Sequence, residues 1–191
     1  MKKARVKRKT METDIKMELS LKSGKNSIKT PFAFFSHMLN EFAWHGGFLI
    51  KTQIKGDTDV DAHHTIEDAG ICLGEAIKKL IGNGKGINRF GWAIVPMDDA
   101  LVIVAVDLSG RPFLNFKVRF SEIRKADFDY RLFEDFFKAV SDRSSINLHI
   151  VLIDGKNNHH ISEAIFKGFG IALRMALSRK GKKIPSTKGK I

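Results

Sequence analysis

Two short segments of this 191-residue chain gather four of its seven histidines, each pair followed by a glutamate. His63-His64-Thr65-Ile66-Glu67 and His159-His160-Ile161-Ser162-Glu163 share the pattern HHxxE, and each is followed by a Gly-x-Ala, at Gly74 and Ala76 and at Gly170 and Ala172. The copies lie 96 positions apart, half the chain. On a helix, residues four apart share a face, so His63 with Glu67, and His159 with Glu163, can ligate one ion. Adjacent helical positions point about 100° apart, so a His-His pair suits two metals better than one. Imidazole and carboxylate without thiolate suit Mn, Fe, Ni, Co or Zn and not iron–sulfur chemistry. A single HHxxE reads equally well as a polar helix start. Two copies at equivalent points, in a chain with seven histidines, favour the metal reading.

The repeat also proposes the remaining ligands. His37 stands 26 residues before His63, and the matching place in the second half, 24 residues before His159, is Asp135. Symmetry then suggests one site from His37, His64, His160 and Glu163, and another from His63, Glu67, Asp135 and His159.

These side chains need a duplicated scaffold. In the second half Leu101–Leu108 is a β-branched apolar run. Ser109-Gly110-Arg111-Pro112 interrupts it, and Leu114, Phe116, Val118 and Phe120 then alternate with polar residues, a strand-turn-strand signal. Leu132, Phe133, Phe136, Phe137 and Val140 follow at helical spacing, Ile146 to Leu152 alternates as a strand, and His159–Leu177 is a long amphipathic stretch. The first half repeats that ββαβα order. Strands are expected at Arg5–Lys9, around Ile15 to Leu21 and at Phe48–Lys55, with helices over 34–44 and from Ile66 to Ile81. Gly82, Gly84 and Gly86 end the last helix and mark a linker. The expected fold class is α+β: two halves, 1–84 and 85–191, each a sheet with helices on one face, packed as one unit about a pseudo-twofold axis. His149, inside the apolar run Leu148-His149-Ile150, reads as a satisfied buried histidine or as a partner supporting a ligand from behind.

Composition narrows the function. The chain carries 33 Lys and Arg against 21 Asp and Glu, a net charge of +12, which invites a nucleic-acid-binding reading. Six basic residues lie within 1–9 and six more within 179–191, with no acid in either stretch, so Thr10–Ser178 balances at 21 of each sign. A neutral body without interleaved basic and aromatic residues counts against that alternative. Cys72 is the sole cysteine, no apolar run reaches the ~18–20 residues of a membrane span, and no apolar stretch follows the basic N-terminus. A cytoplasmic protein is expected.

Several phrases carry a resemblance: PFAFFSHMLNEFAWHGGF (31–48), GDTDVDAHHTIEDAGICLGEA (56–76), VPMDDALVIVAVDLSGRPF (95–113), GKNNHHISEAIFKGFGIALR (155–174) and PSTKG (185–189). In order and in register from about Arg5 onward, they resemble the imidazoleglycerol-phosphate dehydratases, lyases of histidine biosynthesis. The resemblance implies a ribosomal protein S5 domain 2-like duplicated fold and a homo-oligomeric shell of 24 subunits built from trimers. It also implies two Mn²⁺ per active site at subunit interfaces. The implied reaction dehydrates imidazoleglycerol phosphate to imidazoleacetol phosphate through a substrate imidazolate gripped by both metals. Residue by residue, it implies Glu12 and Glu163 as carboxylates moving protons, and His45, Arg89, Arg111, Lys167, Ser186 and Lys188 around the substrate and its phosphate. The chain departs from the family pattern at Ser36, Asn40, Ala62 and Asn158, where aspartates are usual, at Glu41 in place of Gln, and at Asp135 in place of a ligating His. A paralogue with metal sites but an altered reaction is therefore a further reading.

Overall fold

The computed structural model describes residues 2–22, 24–122, 124–125, 128–189 and 191; Lys190, counted in the C-terminal basic run, lies outside them. The first half comprises β1 (Lys3–Lys9), β2 (Thr13–Ser20), β3 (Ser27–Lys29), α1 (Ala33–Gly46), β4 (Leu49–Gly56) and α2 (His63–Ile81). The second comprises β5 (Phe90–Met97), β6 (Ala100–Asp107), β7 (Phe113–Lys117), a small ribbon of β8 (Arg124–Lys125) and β9 (Phe128–Asp129), α3 (Leu132–Ser144), β10 (Asn147–Asp154) and α4 (Asn158–Leu177).

The duplication is plain in the sheets. The first has the order β1-β2-β4-β3 and the second β5-β6-β10-β7, each with two antiparallel pairings and one parallel pairing, β3 on β4 and β7 on β10. The ββαβα order therefore holds, with a further strand before the first helix of each half. Two expectations are corrected. The strands flanking Ser109–Pro112 are not a hairpin, because β10 inserts between β6 and β7 and the loop crosses over it. The first strand of the second half is β5, which the periodicity hid: its inward positions are the small Gly91, Ala93 and Val95, while Phe90, Trp92 and Ile94 face outward. Pro96 is tolerated there because β5 is an edge strand.

The helices fill the space between the sheets. α1 and α2 lie on the first sheet, α3 and α4 on the second, and the halves join through α2 against α3 and α1 against α4. Glycines permit these crossings: a Cβ on Gly74 would lie 2.7 Å from Arg143 Cβ and 2.8 Å from the Val140 carbonyl oxygen, and one on Gly170 would collide with the Phe42 carbonyl oxygen. The repeated Gly-x-Ala is thus a packing feature. One apolar core results, rich in Phe35, Phe42, Phe133, Phe136, Phe166 and Phe169.

The outer sheet faces differ. On the first, Lys3, Arg5, Lys7 and Lys9 of β1 point outward beside Lys16, Lys51 and Lys55, so the basic N-terminus lies on an open sheet face. On the second, Trp92, Ile94, Phe113 and Ile153 are 53–63% exposed. His149 lies on this face too, exposed and bonded to Asn115 (3.2 Å); the alternation of β10 turns it away from the core, which corrects the buried reading. Among the described residues no helix is long and apolar enough to cross a membrane.

Candidate metal and substrate site

Both HHxxE motifs begin a helix. The Asn157 side chain caps α4 by accepting from the His159 N–H (2.9 Å), and Asp61 accepts from the His63 N–H (2.7 Å) at the start of α2. The first turn fixes each histidine pair on a rigid element, and the glutamate four residues on rises beside the first imidazole.

At α4 the donors converge. Glu163 Oε1 lies 2.8 Å from His159 Nε2 and 3.1 Å from His37 Nε2, the latter reaching across from α1. Glu163 Oε2 is held by Lys167 Nζ at 2.5 Å. Burial pushes the Glu163 carboxyl up, but the bonds from Lys167, His37 and His159 outweigh it and carry the group down to about 2. Lys167 also approaches Glu41 Oε2 (3.5 Å), which lies 3.3 Å from His45 Nε2, while Glu41 Oε1 is 3.9 Å from His37 Nδ1.

At α2 the same plan recurs with other residues. His63 Nδ1 faces Asp135 of α3 at 3.5 Å and its Nε2 lies 3.9 Å from Glu67. Asp135 therefore occupies, against His63, the place that His37 occupies against His159. The second histidine of each pair turns to a loop carboxylate. His64 Nδ1 meets Asp57 at 3.0 Å with Glu12 3.9 Å from Nε2, and His160 Nδ1 meets Asp99 at 2.6 Å with Asp98 3.4 Å from Nε2. The bond to Asp57 raises the His64 imidazole. Backbone N–H donation from Asn157, then the His160 bond and the Lys156 N–H, holds Asp99 well below the carboxylate range.

Among the described residues, two groups bring three metal-capable donors within 4.8 Å of one another: His37, His159 and Glu163, and Glu12, Asp57 and His64. Two imidazole nitrogens converging on one carboxylate oxygen suit a divalent cation of the imidazole–carboxylate class. Within one chain the two four-ligand sets read from symmetry are not assembled. His37 and Glu163 meet, without His64 or His160; His63, Glu67 and Asp135 meet, without His159, which sits with Glu163 instead. The reason is the helix pairing: α2 starts against α3 and α4 against α1, so each motif faces the other half's first helix and not the other motif.

Sequence reasoning missed Asp57, Asp98 and Asp99. Their available signal was a carboxylate in the turn or loop shortly before each motif in space, and for Asp99 the contact spans 61 residues. The remaining substrate candidates fall elsewhere. Arg89 clasps Asp107 through Nε (2.7 Å) and Nη2 (3.1 Å) and donates from Nη1 to the Pro185 carbonyl (3.0 Å). Arg111 and Lys188 are exposed, and Ser186 Oγ accepts from the Lys188 N–H (3.2 Å).

The model of a protein family described as imidazoleglycerol-phosphate dehydratase matches residues 30–173. An imidazoleglycerol-phosphate dehydratase of Thermodesulfovibrio yellowstonii is 50% identical over 192 residues, covering 100% of both chains. One from Clostridium botulinum is 48% identical, over 97% of this chain and 96% of its own. Among solved structures, the dehydratase of Pyrococcus furiosus in complex with (S)-C348 has a TM-score of 0.85 and 39% identity, over 97% of this chain and 100% of that one. The Staphylococcus aureus dehydratase has a TM-score of 0.85 and 36% identity, over 94% and 100%.

Proposed function

This chain belongs to the imidazoleglycerol-phosphate dehydratase family, the hydro-lyases of histidine biosynthesis, and from that membership we propose how its residues dehydrate imidazoleglycerol phosphate. The observation carrying the proposal is the convergence of His37 Nε2 and His159 Nε2 on Glu163 Oε1.

Dehydration must expel, as water, the hydroxyl on the carbon beside the imidazole ring and remove the weakly acidic C–H proton of the next carbon, leaving an enol that becomes the ketone. His37, His159 and Glu163 form one ligand group, and His64 with Asp57 opens a second beside Glu12. Two Mn²⁺ ions bound at such donors would supply Lewis acidity that draws electron density from the substrate's imidazole. Lys167 fixes the Glu163 carboxylate, leaving Oε1 turned toward both imidazoles. Of the two carboxylates able to move the proton, Glu12 is the better placed. Both oxygens of Glu163 are engaged, whereas Glu12 is about half exposed and its nearest ionic partner is His64 at 3.9 Å. The phosphate is taken by Arg89, Arg111, Lys167, Ser186 and Lys188, with His45 beside the substrate.

The working enzyme is a homo-oligomer, 24 subunits built from trimers, with the active site between copies. Two features support this reading. The ligand groups within one chain are incomplete, with the side chains of His63 and His160 44% and 25% exposed, and the outer face of the second sheet presents Trp92, Ile94, Phe113 and Ile153 to solvent. A second copy of that apolar face is its natural cover.

The test is turnover of imidazoleglycerol phosphate by the purified protein with Mn²⁺, followed as ketone product. Chelation should abolish it, and light scattering should show a large particle. A monomer with full turnover overturns the interface-built site. Metal bound without turnover overturns the residue roles and leaves the altered-reaction reading.

A further inference from the structure

The linker between the halves is a track for the C-terminal tail. After α4 the chain turns back along residues 84–89: the Asn88 N–H donates to the Ser178 carbonyl (2.8 Å), Lys180 N–H to Gly86 (3.1 Å) and Gly86 N–H to Lys183 (2.9 Å), while Arg179 Nη1 reaches the Lys85 carbonyl (2.9 Å). The last residue, Ile191, packs against two glycines. A Cβ on Gly84 would lie 2.6 Å from Ile191 Cδ1, and one on Gly110 2.6 Å from the Ile191 carbonyl carbon. Gly110 adjoins Arg111, so the tail spans the linker and the loop after β6.

One side-chain bond joins that tail to the linker immediately before Ser186. Arg89 Nη1 holds the Pro185 carbonyl, and what aims Arg89 is Asp107, the last residue of β6, through a bidentate pair only 17% and 21% exposed. Arg89 is further fixed by its backbone, with φ 76° in the left-handed region, its N–H on the Ala176 carbonyl (2.9 Å) and its own carbonyl taking the Leu108 N–H (3.0 Å). Of the five guanidinium N–H groups three are used, and the two left over remain for an anion.

We propose that Asp107 is the positioning residue of the phosphate end of the substrate site, holding Arg89 so that the same guanidinium sets the Ser186–Lys188 segment. The proposal rests on the reading above that Arg89, Ser186 and Lys188 take the phosphate. Asp107 touches no substrate; it acts through Arg89. It also ties the loop bearing Arg111 to the segment bearing Ser186 and Lys188, so one carboxylate aligns four phosphate donors, Arg89 included, carried by three distant parts of the chain.

The test is Asp107→Asn, nearly isosteric, in the full-length enzyme. Hydrogen exchange of amides 183–189 is expected to quicken about tenfold, with KM for imidazoleglycerol phosphate raised about tenfold, kcat within about twofold, and metal content unchanged. In a chain lacking residues 185–191, where only the placing of Arg89 is left for Asp107 to affect, the same substitution should raise KM clearly less than in the full-length enzyme. Wild-type exchange in Asp107→Asn overturns the proposal, as does an undiminished effect in the truncated chain. Faster exchange with unchanged KM overturns the phosphate assignment of the tail, and with it the part of Asp107 in the reaction. Should Asp107→Asn fail to assemble, Asp107→Glu displaces the guanidinium by one methylene; quickened tail exchange there supports the proposal and wild-type exchange overturns it.

Discussion

His37 and Glu163, 126 residues apart in the chain, meet at 3.1 Å between Nε2 and Oε1 where α1 crosses α4. That contact unites a residue of the first half with the second copy of the repeat. It exists because Gly170 lets the two helix backbones approach, so the ligand geometry depends on a core glycine two turns further along α4.

Removing donors from this crossing should remove metal. His159→Ala leaves His37 and Glu163 as a two-donor remnant, and metal affinity should fall at least about 100-fold while the metal-free fold persists. Equilibrium dialysis with metal analysis measures it. In the double variant His63→Ala, His159→Ala one class of site should be lost, and unchanged stoichiometry would show that neither histidine ligates.

Deleting residues 185–191 should raise KM at least about tenfold or abolish activity while the body still folds. Most of the tail's bonds to the linker, from Ser178 to Lys183, precede the cut. Steady-state kinetics with circular dichroism separate the two effects, and unchanged kinetics would make the segment a solvated end.

Gly170→Ala should destabilise without touching a donor. Its methyl meets the Phe42 carbonyl oxygen and lies 3.0 Å from the Gly46 nitrogen, both backbone atoms that can yield only if α1 shifts. The expected cost is about 1–3 kcal/mol, a thermal midpoint lowered by roughly 5 °C. A loss of metal affinity should accompany it, because moving α1 moves His37.

The first sheet carries a pH-dependent contribution. Bonds from Lys3 and Arg5, at 2.8 and 3.0 Å, hold the Glu18 carboxyl below its ordinary value. A depressed folded-state value means that the stabilisation is complete above the unfolded carboxyl's titration, near pH ~4.3, and is lost as pH falls through the folded one. With Arg5 75% exposed the gain is at most about 1 kcal/mol. Thermal midpoints of Glu18→Gln and wild type should therefore differ slightly at pH 7, with the gap closing as pH falls below the ordinary carboxylate range, and a gap that stays equal on acidification would refute the linkage.

Local patterns told much of this from the sequence. The 96-residue repeat, the four long helices, the HHxxE pairs with their i,i+4 glutamates and the matching places of His37 and Asp135 are properties of short stretches and their spacing, and spacing survives folding. Side-chain period likewise placed most strands, because an alternating run buries one face wherever it lies in a sheet. It failed at β5, where the inward positions are the small ones and the large apolar residues face out.

What tertiary structure alone decided are the meetings between distant segments. The insertion of β10 between β6 and β7, the choice of His159 over His64 as the partner of His37, the carboxylates Asp57 and Asp99 behind the second histidines, and the Asp107–Arg89–Pro185 chain all depend on which helix packs on which sheet. Those choices follow from the whole core closing at once around glycine-permitted helix crossings. No window of sequence contains that information, because each contact is fixed by surfaces contributed from both halves.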